Sequence, residues 1–307
     1  MKRSLVTGGA GFIGGHLARQ LVARGKPVTI LDDFSSGTRD NLAAGARVLE
    51  GSVTDPAIVR DAMQDCDEVF HFAALVSVPA CIDNWSYGHQ VNIGGSINVF
   101  EVAKILGGIP VIYASSAAIY GDRGARLCVE DSLPCPKSPY GADKLASEHH
   151  ARAFWETAAL PSMGLRFFNV YGPGQSHTSP YSGVIARFCD NAKNGRAHTV
   201  FGDGEQVRDF VFIDDLVLLL GQLMAGLKTR PRADIANVCT NQPTSLRDLI
   251  RLIDGLVPAS GNGVVYRDGR RGDIRYSLGD NTHLKSLVGD ISWTQMSDGL
   301  AKTLKGS

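Results

Sequence analysis

Two side chains in this sequence could together move a proton, and the elements expected to position them precede them in the chain. Tyr140 and Lys144 stand four residues apart in the run SPYGADKLASEHH, which predicts one face of a helix. A phenol titrates near pH ~10, and a neighbouring ammonium favours the phenolate. We therefore expect Lys144 to lower the pKa of Tyr140, so that Tyr140 can abstract a proton near neutral pH. Such a pair alone is usually a packed aromatic beside a solvated lysine, but Ser116, Asn92 and a glycine-rich turn precede it in the order that a doubly wound sheet needs.

The glycine-rich turn predicts a dinucleotide site. In TGGAGFIGGHL, Gly8, Gly11 and Gly14 follow a predicted strand and precede a predicted helix. Glycine permits a tight turn and the close approach of a pyrophosphate, whose charge the helix N-terminus favours. Asp32, at the end of the second predicted strand, would accept hydrogen bonds from the adenosine ribose and repel a 2′-phosphate. The expected cofactor is therefore NAD and not NADP.

Two further segments are expected to complete this site. HFAALVSV carries the small Ala73 and Ala74 at a strand end, where a cofactor can lie against the backbone. Asn92 is polar among apolar neighbours in a predicted long helix. It could cap or cross-link helices, but its place in the sequence favours a role in ordering the active-site helix.

Composition argues against several other classes of protein. The 31 basic and 31 acidic residues give zero formal net charge, so no electrostatic footprint for nucleic acid or a membrane surface is expected. No apolar run reaches the roughly 18 residues of a membrane span, and MKRSLVTGGAG enters a strand directly. A cytoplasmic protein is expected. The six cysteines lack metal-ligand spacing, so we predict reduced packing cysteines and no metal site.

The alternation of apolar segments predicts an α/β protein: a Rossmann-like doubly wound parallel sheet with a smaller α/β substrate-binding lobe. Residues 1–168 would form the NAD-binding domain, and 169–307 the lobe. Residues 209–224 predict a strand and a helix that return to the first domain, so the two would interleave. The predicted strands are 4–7, 28–32, 48–50, 68–73, 111–115 and 162–167, and the predicted helices are 11–24, about 58–63, 87–106 and 140–155.

The sequence resembles the extended short-chain dehydrogenases/reductases of the NAD-dependent nucleotide-sugar epimerase group, and is most similar to UDP-glucose and UDP-N-acetylglucosamine 4-epimerases. The resemblance extends nearly from end to end. Besides TGGAGFIGGHL, it rests on the motifs DDFSSG, HFAALVSV, YASSAAIYG, SPYGADK, LRFFNVYGPGQ, FGDGEQVRDFVFIDD and RRGDIRYSLGD.

The resemblance implies roles for individual residues. Tyr140 would be the base and acid at the sugar C4 hydroxyl, Lys144 would tune it and bind the nicotinamide ribose, and Ser116 would hydrogen-bond the reacting oxygen. Two arginines would clamp the diphosphate, which suits a chain without net charge. With the turn and strand ends above, the cofactor-binding residues would be Gly8, Gly11, Phe12, Ile13, Gly14, Asp32, Asp33, Ser36, Gly37, Ser52, Val53, Phe72, Ala73, Ala74, Val76, Asn92, Tyr140, Lys144 and, by the nicotinamide, Phe168. The substrate-binding residues would be Ser116, Asn169, Val184, Phe201, Arg208, Arg270, Asp273 and Ser277.

One position departs from the family pattern. In EGSVTD the family commonly has aspartate at the place of Ser52, contacting the adenine amino group. Serine can still hydrogen-bond the ring, so adenine affinity could fall without loss of the cofactor. Asp55 is expected to cap a helix rather than bind a ligand.

The implied reaction is C4 epimerisation of a UDP-hexose through a 4-keto intermediate, with NAD tightly retained. Ala117 and Ala118 follow Ser116 where a 4,6-dehydratase carries an Asp-Glu pair, which argues against dehydration. A UDP-uronic acid epimerase or decarboxylase stays open, and a C4 reductase would need exchangeable reduced cofactor. A non-catalytic NAD sensor would have no use for the reactive trio.

Substrate choice is expected to depend on Ser277. Related epimerases carry a bulky residue there when they handle only plain hexoses, and a small one when N-acetylated sugars fit. Serine therefore favours UDP-GlcNAc/UDP-GalNAc, with UDP-Glc/UDP-Gal also turned over, and ALVSVPACI resembles the subgroup acting on N-acetylated sugars. The family commonly forms homodimers through two long helices, for which 87–106 and 140–155 are the candidates, although their apolar faces could equally be internal core.

Overall fold

The computed structural model describes residues 2–176, 183–257, 263–269 and 274–306. The strands in these ranges are β1 (Arg3–Thr7), β2 (Val28–Asp32), β3 (Arg47–Glu50), β4 (Cys66–His71), β5 (Val111–Ser116), β6 (Ser162–Phe167), β7 (Asn169–Tyr171), β8 (His198–Phe201), β9 (Val207–Phe212), β10 (Ala233–Val238), β11 (Pro243–Ser245), β12 (Val264–Arg267) and β13 (Tyr276–Ser277). The α-helices are α1 (Phe12–Ala23), α2 (Pro56–Met63), α3 (Val78–Asp83), α4 (Trp85–His89), α5 (Gly95–Ile105), α6 (Pro139–Ala158), α7 (Val184–Lys193), α8 (Ile213–Thr229), α9 (Leu246–Leu256), α10 (Thr282–Val288) and α11 (Met296–Gly306).

A seven-stranded parallel sheet in the order β10-β6-β5-β4-β1-β2-β3 forms the centre of the molecule. The predicted α/β class is therefore confirmed. The chain runs outward from β1 in one direction and from β4 in the other, so the order reverses between these two neighbours. In doubly wound sheets a ligand crevice opens at the carboxyl ends of the strands at this reversal.

The sheet differs from the prediction at one edge. Six strands were expected, but β10 adds a seventh beside β6. Its sequence ADIANV is short and contains Asp234 and Asn237, so it lacks the apolar run of a central strand. This polar strand can join the sheet because it lies at the edge, and because Tyr120 donates a hydrogen bond to the Asn237 side chain over 2.7 Å.

The predicted helix 87–106 is also more complex than expected. The structure has α4, then a π-helical turn over Gln90–Gly94, then α5 in one continuous helical run. Such π-turns often accompany functional sites because the wider turn redirects side chains. Asn92 lies in this turn.

The second half of the chain contributes to both sheets. In a second sheet, β9 pairs with β11 on one edge and with β7 and β13 on the other. The helix of segment 209–224, α8, packs against α1 and the central sheet, whereas its strand, β9, belongs to the second sheet. The domain division at residue 168 stays a prediction, although β10 comes from beyond it.

Each face of the central sheet has its own hydrophobic core because successive strand residues point to opposite faces. Val6 and Ile30 pack on the side of α1 and α8, while Leu5 and Leu31 pack on the side of α2 and α5. Each such buried side chain contributes about 1.5–3 kcal/mol to stability. In the described ranges no helix is both long and apolar enough to cross a membrane, and all six cysteines are free thiols, only Cys135 being exposed.

Candidate active site

The structure brings Ser116, Tyr140 and Lys144 together at the carboxyl end of β5. Ser138 begins α6 by accepting a hydrogen bond from the Gly141 amide over 3.1 Å, which places Tyr140 and Lys144 in its first two turns. Ser116 Oγ accepts from the Ala118 amide over 3.1 Å, so its own proton can go to the hydrogen bond that it makes with Tyr140. Lys144 Nζ lies 5.7 Å from the centre of the Tyr140 ring. The geometry is that of a phenol with one donor and one nearby cation.

The expected lowering of the Tyr140 pKa is wrong for the protein alone. Burial raises the pKa of Tyr140 to about 12, and the hydrogen bond from Ser116 opposes this only in part. Burial likewise lowers the pKa of Lys144 to about 8, against the charge of Asp143, which raises it. Desolvation is the largest cause of both pKa shifts. For Tyr140 to act as a base, the site must gain positive charge.

The glycine-rich turn is as tight as the sequence predicts. A Cβ on Gly14 would lie 2.2 Å from the Gly8 carbonyl oxygen, and Gly8 itself has φ +68° and would place a Cβ 2.7 Å from the Ala73 nitrogen. No side chain caps the N-terminus of α1, whose first residues are Phe12 and Ile13. The first amide groups of this helix therefore face the crevice without a side-chain acceptor, which suits a diphosphate.

Asp32 lies where the second strand ends, beside this turn. Its carboxylate accepts from the Ala10 and Phe34 amides, each over 2.9 Å, and burial raises its pKa against these bonds. The oxygens retain lone pairs for a ribose. Together with the uncapped helix, they fit the adenosine and diphosphate groups of NAD.

The loop after β4 is held by Asn92. Asn92 Oδ1 accepts from the Leu75 amide over 2.9 Å, and its Nδ2 donates to the Leu75 carbonyl over 3.3 Å. Asn92 therefore cross-links the π-turn to the segment that carries Phe72, Ala73, Ala74 and the exposed Val76.

The remaining residues predicted to bind the cofactor lie around the ends of β2 and β3. Ser52 Oγ accepts from the Thr54 hydroxyl over 3.0 Å, and Val53 is buried beside it. Asp33 binds the Ser35 amide over 3.0 Å in the loop that contains Ser36 and Gly37. The Asp55 side chain accepts from the Ala57 amide over 2.8 Å, which confirms that it caps α2.

The second sheet gathers three residues predicted to bind substrate. Ser277 of β13 pairs with Arg208 of β9, and Asn169 of β7 pairs with Phe210 on the same strand. Arg208 NH1 donates to the Val207 carbonyl over 2.9 Å, and Asn169 is exposed.

Two other predicted substrate residues lie outside this sheet: Val184 begins α7 and Phe201 ends β8. Phe168, which was predicted to lie by the nicotinamide, is buried in a small cluster with Ile119, Tyr120 and Cys239. Arg270 and Asp273 lie outside the described residues.

Comparison with known proteins decides the family. Residues 4–239 match the model of the NAD dependent epimerase/dehydratase family. The chain belongs to this family. NAD is accordingly its cofactor, as the turn geometry suggests.

Relatives within the family share the whole length of the chain. A UDP-glucose 4-epimerase of Mycolicibacterium smegmatis is 34% identical, over 99% of this chain and 97% of that protein. A UDP-N-acetyl-alpha-D-glucosaminuronate decarboxylase of Bacillus cytotoxicus is 32% identical over the same shares of the two chains. The solved structure of a UDP-N-acetylglucosamine 4-epimerase from Methanobrevibacter ruminantium, in complex with UDP-N-acetylmuramic acid, superposes with a TM-score of 0.92 at 32% identity, covering 99% of this chain and 97% of that one. The chain is therefore similar to enzymes of more than one specificity.

A buried histidine joins the cofactor turn to the active-site helix, and the sequence interpretation missed it. His71 contacts the Thr7 hydroxyl over 2.7 Å and the Ser96 hydroxyl over 3.1 Å, and Ser147 of α6 donates to Ser96 over 3.4 Å. Ser96 gives its proton to the Asn92 carbonyl over 2.6 Å, so His71 must donate to Ser96 and accept from Thr7. Burial and the charge of Lys144 lower the pKa of His71 to about 3, so it is neutral. A polar residue within the apolar run VFHFAA was its signal.

A buried ion pair behind the trio was also missed. Arg166 of β6 binds Glu148 of α6 through two hydrogen bonds, Nε to Oε1 over 2.9 Å and NH2 to Oε2 over 2.8 Å. Ser115 donates to the same carboxylate over 2.5 Å. The pair thereby fixes β5, and with it Ser116, against the helix that carries Tyr140. The signal was an arginine inside the apolar strand SMGLRF.

Proposed function

We propose that the protein is an NAD-dependent C4 epimerase of UDP-hexoses. The observation that carries the proposal is the meeting of Ser116, Tyr140 and Lys144 at the same sheet edge as the glycine turn. The relatives support a nucleotide-sugar substrate. A sensor without turnover would not need these three groups together.

Each residue of the trio would have a defined task at the sugar C4 hydroxyl. NAD, held by the glycine turn, Asp32 and the Ala73 segment, supplies a reversible hydride acceptor. Tyr140 would take the hydroxyl proton and return it after the sugar has turned in the site. Ser116 would donate a hydrogen bond to the reacting oxygen, and the ammonium of Lys144 would favour the phenolate.

The nucleotide diphosphate would be bound by the second sheet. Arg208 and Asn169 lie on adjacent strands there. Arg270 would be the second arginine at the diphosphate, and Asp273 would reach the nucleoside ribose. Binding energy concentrated on the diphosphate lets the sugar ring turn without loss of the substrate.

We propose UDP-GlcNAc and UDP-GalNAc as the leading substrate pair, with UDP-Glc and UDP-Gal also turned over. Ser277 is half-buried and paired with Arg208, so a small side chain stands next to the proposed diphosphate site. Ser277→Tyr should reduce turnover of the acetylated pair selectively, whereas Ser277→Ala should spare both pairs. Equal loss on both pairs in the tyrosine variant would contradict this assignment.

A UDP-uronic acid epimerase or decarboxylase is the second candidate, favoured by the similarity to the Bacillus cytotoxicus decarboxylase. The experiment that separates them is incubation of the purified protein, without added NAD, with UDP-GlcNAc, UDP-Glc or UDP-glucuronic acid. Chromatography would detect C4 epimers, and trapping would detect released CO₂. Epimers of the neutral sugars support our proposal. Products from the uronic acid alone would replace it with the second candidate.

We further propose a cytoplasmic homodimer assembled through the outer faces of α5 and α6. Sedimentation at several concentrations tests the dimer. A monomer throughout would exclude it.

A further inference from the structure

Lys144 is a buried cation that makes no ion pair with another described residue. Its side chain is 3% exposed. Among the described residues, no carboxylate oxygen lies within 4.0 Å of its ammonium. A buried charge is costly unless another charge balances it. Something nearby must compensate if Lys144 is to stay protonated.

The adjacent residue is a buried carboxylate, and one of its oxygens also lacks a partner in the part of the chain that the structure describes. Asp143 is 5% exposed, and its Oδ1 lies 3.0 Å from Nδ1 of His89 on α4. Its Oδ2 is buried with no hydrogen-bond partner among the described residues. A carboxylate oxygen left in this state has lost its hydrogen bonds to water without replacement, which destabilises the folded protein. Such an unpartnered buried carboxylate oxygen requires an explanation, such as a functional role.

We propose that Asp143, oriented by His89, is the counter-ion of Lys144 and keeps that side chain an ammonium. Side chains of consecutive helix residues diverge, so the two buried groups act on each other through the electrostatic field rather than by contact. Asp143 is a positioning residue and not a catalytic one. The proposal deepens the proposed function, on which its importance for catalysis rests.

Among the charged groups around Lys144, Asp143 is the one that can act as its counter-ion. Asp143 raises the pKa of Lys144 against burial, and it is the only carboxylate among the groups that shift that pKa. Glu148, one turn further along α6, is neutralised by Arg166. Among the other titratable groups on the elements packed against α6, burial shifts the pKa values of Cys81, His71, Tyr113, Tyr120 and Tyr140 toward their neutral forms. Asp234 of β10 is paired with Arg232 and His283. The others on α3, α4 and α5 are exposed: Asp83, Tyr87, His89, Glu101 and Lys104.

The test is a direct titration of Lys144 by NMR in protein labelled with ¹³C at lysine Cε. The Lys144 resonance is assigned by its absence in Lys144→Arg. We expect a midpoint near pH 8 in the wild type. Asp143→Asn should lower it by about one pH unit or more at matched nucleotide content, because an opposing charge is removed. Asp143→Ser is the second charge-removing variant should the asparagine variant fail to fold, and Asp143→Glu should retain most of the wild-type value.

The matched control is Glu156→Gln, which removes one negative charge from an exposed position on the same helix. It should leave the midpoint unchanged. An unchanged midpoint in the folded Asp143→Asn or Asp143→Ser variant would overturn the proposal. The titration needs no substrate, so its result is independent of the proposed reaction. It can contradict the role of Asp143 in a protein that epimerises UDP-sugars, and it can support that role in a protein that does not. In an active enzyme, the alkaline limb of the kcat profile should move to lower pH in Asp143→Asn and not in Glu156→Gln.

Discussion

Asp209 should make the protein less stable as the pH rises from about 4 to about 6. It lies on β9 with 1% of its surface exposed, and its carboxylate accepts from the Thr240 amide over 2.7 Å, the Thr240 hydroxyl over 2.9 Å and the Asn241 amide over 2.8 Å. Burial disfavours the charged carboxylate and the hydrogen bonds favour it. Burial has the larger effect and raises the pKa of Asp209 to about 6.

The size of the effect follows from the two pKa values. The unfolded group titrates at 3.8, so between 3.8 and about 6 the folded state holds a proton that the unfolded state has lost. The free energy of unfolding therefore falls with rising pH across this interval, by about 1.4 kcal/mol per unit and about 3 kcal/mol in all. The full contribution is present below the lower value and lost above the upper one.

Urea unfolding of the wild type and Asp209→Asn at several pH values from about 4.5 to about 7.5 measures this directly. Contributions from other titrating groups cancel in the difference between the two proteins. We expect the stability of the wild type, relative to the variant, to fall by about 2 kcal/mol over this range, since about 1 kcal/mol is already lost at the lowest pH. A relative stability that rises with pH would show that the hydrogen bonds outweigh burial, and a constant one would refute the raised pKa.

Three further substitutions test the site and its support. Tyr140→Phe should lower epimerisation at least ~100-fold while the retained NAD, measured after denaturation, stays at the wild-type level; substantial residual turnover would exclude Tyr140 as the base. Gly14→Ala would place a methyl group 2.2 Å from the Gly8 carbonyl oxygen and should release NAD; an alanine variant that copurifies with full NAD would contradict the turn geometry. Glu148→Gln leaves Arg166 buried without its counter-charge and should cost about 3–5 kcal/mol in urea unfolding. A loss below about 1 kcal/mol would show that the pair contributes little.

The local patterns of the sequence were sufficient to predict six strands of the central sheet and the cofactor turn. Glycine spacing and apolar runs of strand length involve residues that are close together in the sequence, so they can be recognised without knowledge of tertiary contacts. The edge strand β10 was missed because its polar residues find their partners through the tertiary fold: Tyr120, 117 positions away, donates to Asn237, and His283, 49 positions away, contacts Asp234. The π-turn within the 87–106 helix was also missed. Its residue Asn92 binds Leu75, 17 positions away in a loop, and no local pattern reveals this contact.

In the site, the identities of the trio were predictable, but its protonation was not. Motif spacing showed that Tyr140 and Lys144 share a helix face. The depth of burial, which decides both pKa values, is a property of the assembled fold. The same holds for the His71 network and for Asp143, since a polar residue in an apolar run signals burial without showing its partner.

The central claim is that the hydrogen at sugar C4 leaves as a hydride and returns to the same carbon within one site. The most direct measurement uses UDP-GlcNAc carrying deuterium at C4, incubated with the protein in ordinary water without added NAD, with the product examined by mass spectrometry and NMR. We expect UDP-GalNAc that retains deuterium at C4. A C4 epimer that has exchanged its label for solvent hydrogen would show removal as a proton and contradict the account.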